Sequence, residues 1–507
     1  MAEKMDDMPI KSIKELPALA GQSVTLRGWL YGKRSGGKVV FLLVRDGTGL
    51  CQCVVSAATP AAWDVARELT QECSLQVSGR VRADMRAPGG VELEVTAVHL
   101  IGGADDYPVS RKPHGVDFLL NHRHLWLRTP RQAAILRIRH TLIQAIRRFF
   151  DEHDFTLVDT PLLVPGAAEG AATLFPVRYF DEAEAVYLAQ TGQLYLESAA
   201  MALGRVYCFG PTFRAEKSKT RRHLAEFWMV EPEIAFAELP DLVEWAEAFI
   251  IYLVQAVMAE RRPELMELGR DVDRLAAIQA PFPRLTYTEA VELLRSTEVH
   301  EELQAEWAAD RQRLTRLRED LVEQEAQRAQ ARKRWQQEKW DRSIHDLREE
   351  IRALDEDLRT RPQHIEGARH FTWGADLGGD EETILSRRFD RPLIITEYPR
   401  GVKAFYMKPH PDDPRRVLNL DVLAPEGYGE IIGGSQREDN LSALKKRIAE
   451  EGMDPAPYQW YLDLRRYGSV PHGGFGLGVE RTVAWICGLR HIRETIPFPR
   501  MMGRMTP

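Results

Sequence analysis

Phe213-Arg-Ala-Glu216, the loop Lys217-Ser-Lys-Thr-Arg-Arg-His223 and Leu224-Ala-Glu-Phe-Trp-Met-Val-Glu-Pro-Glu233 run on without a break, and their reading decides the fold. An Arg and a Glu two apart on a strand share one face, so Arg214 and Glu216 can grip opposite ends of one ligand. A guanidinium suits a phosphate. Lys217, Lys219, Arg221, Arg222 and His223 then supply enough positive charge to hold a polyphosphate tail, or else form an exposed turn that is merely basic.

Three further blocks complete the pattern. Gly474-Phe-Gly-Leu-Gly-Val-Glu-Arg481-Thr places glycines at alternate positions of a strand, which lets a ligand or a neighbouring chain approach the backbone closely before a helix that carries Arg481. Its spacing is not that of the dinucleotide fingerprint. In Asn419 to Glu438, Asp421 and Glu430 are brought together by a Pro/Gly turn and can hold Mg²⁺ with ligand phosphates, or be ordinary surface carboxylates. Gln190-Thr-Gly-Gln193-Leu-Tyr-Leu-Glu197, preceded by Glu169, sets polar residues inside apolar stretches, as pocket walls do.

Outward from these blocks, Val24 to Ile101 alternates apolar and polar residues in five short runs, with Thr59-Pro60 opening a helix after the third. That order predicts a five-stranded OB barrel, a fold that often binds single-stranded nucleic acid, or a small β-domain that only packs on its neighbour. Residues 1–17 read as a short, partly mobile leader arm and 18–102 as the barrel. The Gly- and Pro-marked stretch 103–125 reads as a linker, and 126–507 as a second, α+β domain. There Thr129-Pro130 caps a helix whose apolar face is Ile135, Ile138, Leu142, Ile146 and Phe149. An insertion at 296–365 is dominated by Glu, Arg, Gln, Ala and Leu. The seam Trp340, Ile344, Leu347, Ile351, Leu354, Leu358 lies out of register with Trp307, Leu314, Leu321, which predicts an antiparallel helical hairpin with its break near 325–334.

Composition narrows the class. The 507 residues are 44% hydrophobic and 28% charged, the profile of a soluble globular protein of two to four domains. No run of eighteen apolar residues predicts a membrane span, and no apolar leader predicts secretion. A net charge of −7 argues against wholesale coating of nucleic acid while leaving local basic patches open. Five scattered cysteines without a CxxC pair suggest reduced thiols in the cytoplasm and no structural zinc.

The four blocks together resemble the class II aminoacyl-tRNA synthetases. FRAE with its loop and EFWMVEPE is similar to their motif 2, GFGLGVERT to motif 3, and the long helix before Pro161 to motif 1. An OB domain ahead of the catalytic one is the subclass IIb order. Within it, GYGEIIGGSQRE, YLDLRRYGSVPHGGFGLGVER and IRETIPFPR resemble the asparaginyl-tRNA synthetase family more than the aspartyl or lysyl enzymes. The helical insertion departs from the family pattern.

The resemblance implies an antiparallel six-stranded sheet flanked by helices and a homodimer through motif 1, with Pro161 at its interface. It implies a ligase that joins asparagine, ATP and tRNA(Asn) without a side-chain nucleophile, Arg214, Glu216 and Arg481 being catalytic. For ATP it implies Arg214 on the α-phosphate, Phe227 and Arg481 about the adenine, and Arg222 and His223 at the outer phosphates. Glu216 and Glu226 would meet ATP or the tRNA acceptor end, and Asp421 and Glu430 would carry Mg²⁺. For the amino acid it implies Glu169 on the α-amino group, Gln193 in the pocket and Arg437 on the side-chain oxygen. Glu197 would be an acidic wall that welcomes a carboxamide and repels a carboxylate, Leu196 replacing the Lys of aspartyl enzymes. For the anticodon it implies stacking on Phe41, with Arg45, Gln52 and Glu94 at the bases and Lys33, Arg34 and Lys38 on the rim. An aspartyl enzyme of relaxed tRNA choice and a non-catalytic RNA-binding paralogue are the competing readings.

Overall fold

The computed structural model describes residues 8–110, 112–168, 173–180, 185–217 and 220–507. The chain forms two compact units, residues 1–112 and 113–507.

The first unit is a closed barrel in the order β1-β2-β3-β5-β4, with β1 Ser23–Gly36, β2 Val39–Arg45, β3 Leu50–Ser56, β4 Ser74–Ala83 and β5 Val91–Gly102. Helix α1, Pro60–Glu68, follows the third strand. Alternation sets the faces: Val40, Leu42 and Val44 point inward with Leu26, Val55, Val77 and Leu93 to form the core. Pro60 takes the first turn of α1, but Thr59 makes no capping bond; its hydroxyl donates to the Ser56 carbonyl at 3.2 Å instead. The leader is not a loose arm where it is described. Ile13 and Leu16 are buried in the barrel core, and Ile13 N donates to Asp46 Oδ2 at 2.6 Å. Apolar burial of about 1.5–3 kcal/mol per side chain offsets part of the entropy of ordering the segment.

The second unit carries an eight-stranded sheet among the described residues. Its strands are β6 Thr156–Leu157, β7 Arg205–Phe213, β8 Glu226–Ala235, β9 Arg284–Thr286, β10 Leu393–Thr396, β11 Asn419–Ala424, β12 Gly429–Gln436 and β13 His472–Gly478, in the order β9-β10-β11-β12-β13-β8-β7-β6. The six central strands are antiparallel, and the short edge strands β9 and β6 pair parallel. Two-residue and three-residue edges carry too weak an alternation to read in sequence.

Helix α2, Pro130–Glu152, begins at Thr129, whose hydroxyl accepts from Gln132 N, and its five expected apolar residues are all buried. They pack on α4, Leu239–Glu260. Helix α4 is long and apolar enough to cross a membrane, with mean hydropathy 1.6, but Leu242, Ala246, Phe249, Ile250, Leu253 and Val257 are spent on the core beneath the sheet. Within the expected linker, Val116–Asn121 and Arg123–Trp126 are helical. The buried Arg123 guanidinium ties them to the chain end through Pro497 O at 2.8 Å and Ile496 O at 2.9 Å.

The insertion is a hairpin of α5, Thr297–Gln330, and α6, Arg334–Arg369. Leu314, Ile344, Leu347 and Leu358 line its buried seam, and Arg318–Asp355 and Arg361–Asp310 ion pairs cross it. Helix α6 continues through Pro362, four residues past the expected end at 365. Proline has no N–H for the Leu358 carbonyl, and Trp307 Nε1 of the facing helix donates to that carbonyl at 3.4 Å. A cross-helix bond thus compensates the lost one.

Candidate active site

Arg214 and Glu216 follow β7, Phe227 lies on β8, Glu430 on β12, and Arg481 on α9, Val479–Cys487, which continues β13. Together with Arg222, His223, Met229, Gly476, Gly478 and Glu480 they line one cleft. The antiparallel order β12-β13-β8-β7 brings motifs more than 200 residues apart side by side. Arg214 sits over the Phe227 ring at 5.5 Å, and its Nε is buried without a partner among the described residues. A buried guanidinium donor without a protein acceptor fits an anionic ligand.

The other loop residues are already engaged. Arg222 donates to Thr383 Oγ1 at 2.5 Å, to Gly379 O at 3.0 Å and to Gly427 O, pinning the loop to α7, Gly379–Arg387. Three of its five N–H donors are used in this way. His223 pairs with Glu216 at 3.2 Å, and burial above all pushes its imidazole below the usual range. Glu226 opens β8 beside Arg500 and does not line the cleft. Lys217 is described; Lys219 and Glu169 lie outside the described residues.

An acidic floor faces these arginines. Arg481 donates to the Glu430 carbonyl at 2.8 Å and lies 3.4 Å from its carboxylate. Burial and then the Glu430 charge push Glu382, on α7, up to about 7. Burial raises Asp421 to about 6 even though Lys403 is bonded to it at 2.6 Å. Glu382 and Lys403 escape a reading of the sequence because they stand in segments with no motif. Gly429 explains the close fit: its φ of +75° suits glycine, and a Cβ there would meet Glu382 at 2.4 Å and Arg222 at 2.7 Å.

Behind the cleft lies a buried ionic network. Helix α3, Gln193–Leu203, carries Gln193 and Glu197; α8, Gln459–Arg466, carries Tyr461 and Arg465. Glu197 accepts from Arg465 Nη2 at 2.6 Å, Tyr461 Oη at 2.8 Å, His472 Nε2 at 3.0 Å and Gln193 Nε2 at 3.2 Å. Burial works against its charge, yet Arg465 foremost, with His472, holds the carboxyl well below the usual range. This corrects the expectation of a bare acidic wall, since Glu197 is fully buried and its charge is met by Arg465. Leu196 is buried with Ala200, Val206 and Cys208.

Arg437 is held by Glu233 in a bidentate pair at 2.7 and 3.0 Å and by Ser435 Oγ at 2.7 Å. Three of its five N–H donors are used and two remain for a ligand. Gly474 makes room for that pair, because a Cβ there would come 2.3 Å from Glu233 Oε2 and 2.1 Å from Pro232 O. The close approach is thus partly by the protein itself, with Gly476 and Gly478 left facing the cleft. Glu197, Glu233 and His472 lie close enough to hold a metal ion, but two guanidinium groups already neutralise the two carboxylates.

The chain end buttresses the cleft: Ile492 N donates to Arg221 O at 3.0 Å and Ala225 N to Arg500 O at 2.8 Å. His491 Nδ1 accepts from Arg493 N, and burial, then Arg493, pushes its imidazole down to about 4 from 6.5. The folded state therefore binds fewer protons than the unfolded one between those values, so stability is lost as pH falls below 6.5. Discounted for partial exposure, acidification to pH 5 is expected to cost about 1 kcal/mol through this group. His491→Asn keeps an acceptor and should flatten thermal melting between pH 7 and 5 relative to the parent; equal slopes would remove His491 from the account.

In the barrel unit, Phe41, Gln52 and Glu94 share the outward face of β2, β3 and β5. Arg34 stacks over Phe41 at 4.4 Å and bonds Gln52 at 3.2 Å. Arg45 is instead paired with Glu72 and packed on Trp29 at 4.8 Å, and Lys33 donates to Leu69 O at 2.7 Å, closing the end of α1. Both are thus engaged within the unit, while Lys33 stays exposed.

A family described as class II tRNA synthetases (D, K and N) matches residues 115–502, and an OB-fold nucleic acid binding domain matches 24–101. The asparagine–tRNA ligase of Sorangium cellulosum is 49% identical, covering 99% of this chain and 100% of its own. The chain belongs to the asparaginyl-tRNA synthetases. Asparaginyl-tRNA synthetase of Pyrococcus horikoshii, solved with asparaginyl-adenylate, is 40% identical with TM-score 0.81 and full coverage of both chains. That of Entamoeba histolytica, also with asparaginyl-adenylate, is 29% identical with TM-score 0.77, covering 98% of this chain and 99% of its own. As in this family, the chain is a ligase built from an OB barrel and a class II catalytic unit.

Proposed function

We infer that the chain activates L-asparagine with ATP to asparaginyl-AMP and transfers the asparaginyl group to tRNA(Asn), in the cytoplasm and as a homodimer. In the first step an asparagine carboxylate oxygen attacks the ATP α-phosphorus and pyrophosphate departs. In the second a terminal ribose hydroxyl of tRNA attacks the acyl carbon and AMP departs. Arg214, with its unpartnered Nε, neutralises the α-phosphate; Phe227 stacks on one face of the adenine and Arg481 covers the other. Positioning and fixed charge lower the barrier without a protein nucleophile.

The donor set suits Mg²⁺. Gly433 leaves open the space beside Glu430 and Asp421, a Cβ there standing 2.8 Å from Glu430 Oε1 and 3.7 Å from Asp421 Oδ1. Glu430 with the Asp421 oxygen not taken by Lys403 would hold it, and bound there the ion supplies further neutralisation of the phosphates. On the barrel, the Phe41 face with Gln52 and Glu94 suits a stacked, splayed base.

The observation that carries amino-acid choice is the charge balance behind the cleft. Arg437 and Arg465 are matched by Glu233 and Glu197. A carboxamide adds no charge to this balanced, buried set, whereas aspartate adds an anion with no counter-charge at a cost of several kcal/mol. Pyrophosphate exchange measured with asparagine and aspartate in parallel tests this: exchange with asparagine is expected to exceed that with aspartate at least 100-fold by a difference of about 3 kcal/mol. Equal or greater exchange with aspartate would overturn it.

A further inference from the structure

The hairpin α5–α6 is segregated in charge. Its tip, residues 328–342, holds six basic residues (Arg328, Arg332, Lys333, Arg334, Lys339, Arg342) against two acidic ones, while the rest of 297–369 holds nine basic against sixteen acidic. Arg332, Lys333, Lys339 and Arg342 are exposed. Lower on the stem, Glu356 pairs with Arg221 of the loop that borders the cleft at 3.3 Å, and His364 with Asp380 of α7 at 3.2 Å. The stem thus lies against the mouth of the catalytic cleft, and the tip stands roughly 35 Å further along α6, at 1.5 Å per residue.

We propose that the hairpin tip is a second docking point for the sugar-phosphate backbone of tRNA, outside the catalytic cleft and the barrel. This rests on the reading that the chain charges tRNA. The acceptor end must reach the cleft bordered by Arg221, so the arm that carries it leaves past the hairpin. The acidic stem repels phosphates and the basic tip attracts them. Binding is therefore confined to the far end, where it fixes the angle of the arm without holding the reacting end. Backbone phosphates carry no sequence information, so the tip adds affinity and leaves anticodon reading to the barrel.

The test neutralises Arg332, Lys333 and Lys339 together to Ser in the full-length protein, with Arg348→Ser and Arg352→Ser on the acidic stem as a control. The tip variant is expected to raise KM for tRNA about 5- to 20-fold, leaving kcat and asparagine-dependent pyrophosphate exchange at the parent level. The slope of log(kcat/KM) against log salt should become shallower by about 2 to 3, close to one for each phosphate that the tip no longer neutralises. Restoring charge with Lys at 332 should recover part of both changes. A tip variant with parental KM and salt slope, or a loss shared by the stem control, overturns the proposal while leaving tRNA charging intact. A parent that charges no tRNA would instead overturn the function on which it rests.

Discussion

Arg214→Ala is expected to lower asparagine-dependent pyrophosphate exchange about 10³-fold or more, the scale seen when a guanidinium facing a transferring phosphoryl group is removed. The physical reason is the isolation of this group: its Nε is buried without a protein acceptor, and its guanidinium lies over Phe227. Arg214→Lys keeps one charge but loses the planar fork and the stacking, so it should recover less than a tenth of the lost rate. Because no intramolecular ion pair depends on Arg214 among the described residues, thermal stability should change little. Exchange within tenfold of the parent in the Ala variant would show that another cation neutralises the α-phosphate.

Glu197→Gln is expected to act on both stability and selectivity. A Gln offers one acceptor oxygen where the carboxylate meets Arg465, Tyr461, His472 and Gln193, and it strands the buried Arg465 charge. Removing one partner of a buried ion pair costs about 3–5 kcal/mol, which in a unit of this size lowers the melting temperature by roughly 5 °C. The balanced set behind the cleft becomes net positive, so aspartate should be tolerated better and the asparagine-to-aspartate exchange ratio should fall at least tenfold. Pairing Glu197→Leu with Arg465→Met removes both charges and should restore part of the stability without restoring asparagine binding. Unchanged melting together with an unchanged ratio would refute this role.

Much of this was legible from local pattern. The barrel strands follow from period-two alternation, and the α2 face follows from residues spaced by three and four, because burial of one face is what fixes each element. Residues 8–19 and 116–126 elude such a reading for a complementary reason. Each is too short for a period to show, and what orders it is a distant partner: the barrel core for Ile13 and Leu16, and the chain-end carbonyls for Arg123. Of the candidate site, Arg214, Glu216, Phe227, Glu430 and Arg481 could be named because each sits in a motif whose residue types suit phosphate chemistry. Glu382 and Lys403 belong to the same electrostatic field but to segments that carry no signature, whereas Glu233 and Arg465 stand inside the quoted stretches and only their partners reveal their part.

The sequence by itself determined the family, the order of the two units and the helical hairpin, because period, turn chemistry and motif spacing are properties of neighbouring residues. Only the tertiary structure decided which charges are spent on one another. Glu197 became half of a buried pair, Arg437 kept two of five donors, and Arg45 paired with Glu72, since the energy of a charge depends on its burial and its nearest opposite charge, and chains bring those from far along the sequence.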